Sequence, residues 1–315
     1  MKIIFMGTPD FAVKVLDELN SKYEVVLVVT QPDTYNYRKK TYSPSPVKEY
    51  ALKHNLNVFQ PVKIGKELDY LFQFEVDLIV TAAYGQFIPN KLLDYPKYRS
   101  INVHGSILPK YRGGAPIQRA IINGDKETGI TIMYMDRKMD AGDILRIEKI
   151  PITDEDTSDT MFEKLSILGS KMITGVIEDL KASLITPIPQ NESEATYAYN
   201  LTKEDELIDF NKSARNVFNQ IRGLNSNPGA YFIMDGQNVK VYNSKVLDKK
   251  TKTKPGVIIG IEKDSFLISC KDGSVVAITE IQMPSKKKMS VKDFLNGSGK
   301  NIIKVNKEVN IWNLE

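Results

Sequence analysis

Lys2-Ile-Ile-Phe-Met-Gly-Thr-Pro-Asp-Phe-Ala12, followed twelve residues later by Glu24-Val-Val-Leu-Val-Val-Thr30, decides the fold class. Lys2 to Met6 is a short apolar run closed by Gly7, the pattern of a strand buried on both faces. Phe11, Val15, Leu16 and Leu19 then recur at helical spacing, with Thr8 expected as the cap and Pro9 in the first turn. Glu24 to Thr30 is a second buried strand. Strand, helix and strand at this spacing make a βαβ unit, and a βαβ unit requires a parallel sheet. The first turn carries only Gly7, so a G-x-G-x-x-G dinucleotide site is not supported, and no P-loop is present.

Outward from that unit, Asp77 to Ala83 reads as a further buried strand and Ser100 to His104 as a short one. Side chains two apart on a strand share a face, so Asn102 and His104 converge at one strand end. Gly105 breaks the strand, and the apolar turn Ile107-Leu108-Pro109 follows. Polar groups beside an apolar wall suit a small-molecule reaction site. A satisfied histidine at a strand end accounts for the spacing equally well. Val47 to His54 and Ala115 to Asn123 are expected as helices, the second closed by Gly124. Thr128 to Met135 and Ile144 to Ile150 are expected strands, joined by a turn holding Asp136, Asp140 and Asp143. Asp156-Thr-Ser158 opens a long amphipathic helix to about Leu180. Gln31 to Pro46 is expected to be an irregular loop in which Arg38, Lys39 and Lys40 stand among tyrosines. Such a mixture can hold nucleic acid, although an ordinary solvated loop has the same composition.

With 315 residues, 42% hydrophobic and 26% charged, the chain has the profile of an ordinary globular protein of two domains. No apolar run approaches the ~20 residues that span a bilayer, and the N-terminus enters the first strand too soon for a signal peptide. The single cysteine, Cys270, excludes an internal disulfide and fits a reducing cytoplasm. One Cys and two His do not supply a Cys/His zinc site, so no metal is expected. Residues 205–315 hold 18 Lys and Arg against 12 Asp and Glu, whereas residues 1–204 hold 25 against 27, from chain totals of 43 and 39. That asymmetry suits a polyanionic partner or a solvated basic face. Thr186 to Glu194 is polar and proline-bearing, the composition of a linker. Beyond it Ser213 to Ile221 looks helical. Five short strands follow over Ala230–Met234, Gln237–Asn243, Gly256–Ile261, Ser265–Cys270 and Ser274–Ile281, with hairpin signals at Asp235-Gly236 and Asp272-Gly273. That spacing suggests a small β-barrel of OB type with Lys286, Lys287 and Lys288 in one loop.

These pieces together resemble the methionyl-tRNA formyltransferases, a branch of the 10-formyltetrahydrofolate-dependent formyltransferases. The resemblance rests on Met6 to Ala12, Gln31-Pro-Asp33, Pro44 to Lys48, Val58 to Pro61, Ala83-Tyr-Gly85 and Ile101 to Pro109. Arg112 to Gln118, Gly129 to Met133, Met139 to Asp143 and Lys286 to Ser290 extend it over nearly the whole chain. It implies an α/β, Rossmann-like formyltransferase domain with a mostly parallel sheet (residues 1–185), a linker (186–204) and an OB-like, tRNA-binding domain (205–315). It also implies a cytoplasmic, monomeric enzyme that moves a formyl group from 10-formyltetrahydrofolate to initiator Met-tRNA, with no metal and no membrane. Matched by motif, the catalytic set falls on Asn102, His104 and Asp140, and the folate loop on Ser106, Ile107, Leu108 and Pro109. The tRNA contacts fall on Arg38, Lys39, Lys40, Lys286, Lys287 and Lys288. The loop departs from the family's glycine-rich stretch, having Thr34-Tyr-Asn-Tyr-Arg-Lys39 in its place. A formyltransferase for an amino sugar nucleotide or for glycinamide ribonucleotide, and an idle tRNA- or folate-binding protein, are the alternatives. The second domain, the basic loop and the intact Asn102, His104 and Asp140 argue against them.

Overall fold

Strand β1 (Lys2–Gly7) buries five of its six residues, because it lies in the middle of a sheet with both faces covered. The computed structural model describes residues 1–36 and 40–310. Its first unit comprises Met1–Pro116, Glu127–Pro151 and Met161–Tyr199. There β1 pairs in parallel with β2 (Glu24–Val29). A hairpin of β3 (Thr34–Asn36) and β4 (Thr41–Ser43) stands apart from the sheet. The remaining strands are β5 (Val58–Phe59), β6 (Leu78–Ala82), β7 (Ser100–His104), β8 (Glu127–Tyr134) and β9 (Ile144–Pro151). The order is β5-β2-β1-β6-β7-β8-β9. The pairs from β5 through β7 are parallel, and β7–β8 and β8–β9 are antiparallel. Ile4, Met6, Leu27, Val29 and Ile79 pack on one side with Leu71, Tyr84 and Leu92. Ile3 and Phe5 face the other way and are equally buried. Each such side chain contributes roughly 1.5–3 kcal/mol, so the apolar runs without polar alternation are what the parallel sheet requires.

Thr8 does not cap the helix Asp10–Lys22. The N-cap is Pro9, without a side-chain cap, and the Thr8 hydroxyl donates to the Tyr84 carbonyl at 2.9 Å. Tyr84 lies in the loop that follows β6, and its carbonyl draws the hydroxyl away from the helix. Nor is Gln31–Pro46 wholly irregular: Tyr35 and Tyr42 meet edge to face across β3–β4 at 5.1 Å. Arg38 and Lys39 lie outside the described residues, while Lys40 is exposed with φ 52°. The stretch expected as a linker is hydrogen-bonded along much of its length within the first unit. Ile188 exchanges two backbone bonds with Ile144, at 2.8 and 2.9 Å, and Thr196 to Ala198 run beside Arg112. Composition marks this stretch as polar but carries no signal for backbone pairing.

The second unit comprises Ile117–Lys126, Ile152–Thr160 and the chain from Asn200. Its antiparallel sheet is built from β10 (Ala230–Met234), β11 (Gln237–Lys250), β12 (Ile258–Ile261), β13 (Phe266–Ser269), β14 (Ser274–Gln282) and β15 (Met289–Ser290). The order is β10-β11-β14-β13-β12, with β15 on β14. This is the small OB-like domain expected from the run of short strands. Asp235 and Gly236 both have positive φ, 51° and 71°, the type I′ geometry that a two-residue hairpin turn demands. Strand β11 runs seven residues past Asn243, with register breaks that bend it. Phe210, Val217, Ile221, Phe232, Phe266 and Ile278 share its core. Among the described residues no helix is long and apolar enough to cross a membrane.

Gly129 sits where β8 and β9 approach closely: a Cβ there would lie 2.2 Å from the Glu148 carbonyl oxygen. We expect Gly129→Ala to destabilise the first unit by on the order of 2–3 kcal/mol, read as a lowered urea midpoint. A wild-type midpoint would show that this strand pair accepts a side chain.

Candidate active site

Strand β7 ends with the two residues singled out by spacing. Asn102 lies opposite Thr81 of β6 and Met133 of β8, and His104 lies opposite Thr131 of β8. The Thr81 hydroxyl donates to Asn102 Oδ1 at 2.8 Å. With Asn102 Oδ1 accepting there, its NH₂, two donors, is left for another acceptor. His104 is buried, with 6% of its surface exposed. Its Nε2 is 2.9 Å from the Tyr111 carbonyl oxygen. A carbonyl only accepts, so Nε2 carries the proton and Nδ1 is the variable nitrogen.

Nδ1 faces Asp140, whose Oδ2 is 3.7 Å away. That is too long for a hydrogen bond but close enough for a charged ring and a carboxylate to interact strongly. Asp140 Oδ2 instead accepts the Gly113 N–H at 2.8 Å. Asp140 itself has φ 50°, inside the turn between β8 and β9. Its neighbours in that turn serve other ends: Asp136 accepts the Arg137 N–H at 2.6 Å, and Asp143 offers its carbonyl to the Tyr134 N–H at 2.9 Å.

Between Tyr111 and Gly113 stands Arg112, a guanidinium only 1% exposed. It donates to Gln190 Oε1 from Nε at 3.0 Å and Nη2 at 2.9 Å, and to the Glu192 carboxylate at 2.8 and 3.2 Å. Along the same loop Thr196 Oγ1 accepts the Tyr111 N–H at 2.9 Å. The Thr196 carbonyl accepts from the Arg112 N–H at 2.8 Å, and the Arg112 carbonyl accepts from the Ala198 N–H at 2.7 Å. Gly113 has φ 120°, and a Cβ there would meet the Ala198 carbonyl at 2.7 Å, so only glycine fits beneath this strap.

The loop Ser106–Pro109 follows directly. The Ser106 hydroxyl donates to the Lys110 carbonyl at 2.7 Å. The Thr131 hydroxyl donates to the Ser106 carbonyl at 2.7 Å and accepts the Leu108 N–H at 3.1 Å. Leu108 packs with Met133 and Ile144, forming an apolar wall, and Leu108–Pro109 is a cis peptide. Ile107 and Pro109 are half-buried. The structure thus brings His104 and Asp140 together, with Asn102 on the same strand and the turn beside them. In the second unit Lys286, Lys287 and Lys288 are exposed, and Lys288 reaches Glu280 at 3.1 Å and the Tyr242 ring at 4.8 Å. Sequence reasoning missed Tyr111, Gly113, Thr196 and Gln190. The first two act through backbone atoms, which no residue type announces; the glycine pair after Arg112 was the available sign.

Residues 1–177 match the family model for formyl transferases, and residues 200–299 match that for the formyl transferase C-terminal domain. The methionyl-tRNA formyltransferase of Listeria monocytogenes is 48% identical over 305 residues, 96% of this chain and 97% of that protein. The enzyme of the same name from Enterococcus faecalis is 49% identical over 309 residues, 97% of this chain and 99% of its own length. Among solved structures, WlaRD, a sugar 3N-formyltransferase crystallised with dTDP and 5-N-formyl-THF, superposes with a TM-score of 0.66 at 21% identity, over 91% of this chain and 99% of that one. An N-formyltransferase of Helicobacter canadensis gives 0.68 at 19% identity, over 88% and 98% of the two chains. These two establish the shared fold.

The hydrogen bonds from Arg112 hold the Glu192 carboxyl below the usual carboxylate range. A carboxyl whose folded pKa is depressed contributes stability above its unfolded pKa, about 4.3, and loses it as pH falls through the lower folded value. Glu192→Gln should therefore remove part of the acid-induced fall in melting temperature between about pH 5 and pH 3. Parallel wild-type and variant curves over that window would show that the pair adds nothing to stability.

Proposed function

The chain belongs to the methionyl-tRNA formyltransferase family, and we propose that it transfers the formyl group of 10-formyltetrahydrofolate to the amino group of methionine esterified to initiator tRNA. The observation that carries this reading at the level of chemistry is the His104–Asp140 pair, held by one loop beside an amide with two donors to give. In this reaction a new C–N bond forms between the methionyl amine and the formyl carbon, and the bond from that carbon to the folate nitrogen breaks. One proton must travel from the amine to the departing nitrogen.

Each residue has a part suited to its placement. The Asn102 NH₂ stabilises negative charge that builds on the carbonyl oxygen under attack, a contribution of roughly 10²–10³ in rate for one well-aimed donor. His104, protonated at Nε2 by its bond to the Tyr111 carbonyl, takes the amine proton at Nδ1 and delivers it to the leaving nitrogen. Asp140 stands 3.7 Å from that Nδ1 and stabilises the ring while it is cationic. The apolar wall of Leu108, Met133 and Ile144 suits the flat ring faces of a folate, and Ser106 to Pro109 form the turn that would line it. Ser106 serves through loop shape, since its hydroxyl is engaged with the Lys110 carbonyl. Arg38, Lys39 and Lys40, together with Lys286 to Lys288, are assigned to phosphates of the tRNA, in line with the basic excess after residue 204. The same reading takes the enzyme to be cytoplasmic, monomeric and independent of a metal.

The deciding assay separates formyl-Met-tRNA from Met-tRNA on acid gels, with initiator and elongator Met-tRNA offered in turn. Formylation of neither would end this reading. We expect His104→Ala to reduce turnover by at least about 10³ while tRNA binding persists; wild-type turnover would remove His104 from the chemistry. We expect Arg38→Ala to raise the KM for Met-tRNA roughly tenfold with folate affinity unchanged. Unaltered kinetics would release Arg38 from that role.

A further inference from the structure

We propose that Gln190, from the stretch whose composition is that of a linker, is a positioning residue for the reaction, tying the turn that carries Asp140 to the loop that holds His104. The inference rests on the functional reading above. Its basis is the use made of one amide. Gln190 Oε1 accepts two hydrogen bonds from Arg112, at 3.0 and 2.9 Å. Gln190 Nε2 donates one to the Asp140 carbonyl at 2.9 Å and one to the Gly142 carbonyl at 2.8 Å. Two acceptor and two donor positions are all that such an amide possesses, and every one is engaged.

The four bonds join two segments that each hold half of the reactive pair. Arg112 lies between Tyr111, whose carbonyl accepts from His104, and Gly113, whose N–H donates to Asp140. Asp140 and Gly142 belong to the turn that delivers the carboxylate. Gln190 therefore sets the spacing between these segments, on which the 3.7 Å separation of Nδ1 and Oδ2 depends. Glu192 shares the guanidinium, and among the described residues no hydrogen bond joins it to the Asp140 turn. A displacement of about 1 Å in such a pair can cost on the order of a hundredfold in rate.

Gln190→Glu and Gln190→Met are the discriminating variants. The first can still accept from Arg112 but cannot donate to the two carbonyls; the second keeps the length and makes none of the four bonds. For both, turnover per folded molecule should fall roughly tenfold to a hundredfold, with KM for Met-tRNA and for the formyl donor held within about threefold. Near-UV circular dichroism gives the folded fraction. A second readout needs no activity. The chain has two histidines, so ¹⁵N-histidine labelling yields two ring systems, and His54→Gln assigns them. Wild-type His104 should show the Nε2–H tautomer, and both variants should show a mixture or a displaced ring signal. Unchanged turnover per folded molecule together with an unchanged His104 signal overturns the assignment. So does a loss of activity that only follows loss of folded protein. If the wild type fails to formylate Met-tRNA, the functional reading fails by itself, and the histidine signal still decides whether Gln190 positions the ring.

Discussion

Burial of the Arg112 guanidinium is the constraint from which the arrangement of the site follows. A cation with 1% exposure must be paired and hydrogen-bonded, because an unmatched buried charge costs several kcal/mol. Its partners, Gln190 and Glu192, lie 78 and 80 residues further along the chain, so meeting that requirement draws the strap from Gln190 to Ala198 against the loop. With the strap in place, Thr196 fixes Tyr111 and Ala198 closes over Gly113. The carbonyl of the one and the N–H of the other then hold His104 and Asp140. Backbone groups have no rotamers to lose, so a pair held this way is preorganised without further ordering of side chains.

The seven-stranded sheet supplies what the strap does not. It places Asn102 beside Thr81, whose hydroxyl orients the amide so that its donors remain available. It also sets Thr131 opposite His104, where one hydroxyl ties the Ser106 carbonyl to the Leu108 N–H and stiffens the apolar turn. Asn102 and His104 thus share β7, Met133 and Ile144 of the apolar wall come from β8 and β9, and the Asp140 carboxylate comes from the turn between those two strands. Asn102 and His104 are both fixed by β7, whereas Asp140 is carried by a turn tied to the His104 loop through Gln190 and Arg112.

Much of this was legible in the residues, for definite reasons. Apolar runs without alternation gave the buried strands, helical spacing gave the helices, and Asp235-Gly236 gave its hairpin. The period of two put Asn102 and His104 on one face. Asp140 was different: three aspartates share its turn, and resemblance to known formyltransferases chose among them, not spacing. Thr8 misled because its hydroxyl found the Tyr84 carbonyl, a partner 76 residues away. The paired course of residues 186–199 left no trace in composition, since backbone hydrogen bonds are available to any residue except at proline nitrogen. For the same reason the carbonyl that sets the His104 tautomer could not be read from the identity of Tyr111.

The backbone around the pair is itself unusual, and the strap accounts for its persistence. Tyr111 has φ 62° and Asp140 has φ 50°, both left-handed, and neither is glycine. Such a conformation costs an ordinary side chain about 1–2 kcal/mol, and it endures only where surrounding contacts over-determine it. Tyr111 is restrained at its N–H by Thr196 and at its carbonyl by His104. Asp140 is restrained at its carboxylate by Gly113 and at its carbonyl by Gln190. Each strained residue is therefore gripped on both sides, and in each case one of the two grips is a member of the His104–Asp140 pair or the backbone that holds it. The strain and the site are the same feature: the left-handed turns aim Tyr111 O at the imidazole and Asp140 Oδ2 toward its other nitrogen, and the hydrogen bonds that offset their cost are those that keep the two groups 3.7 Å apart.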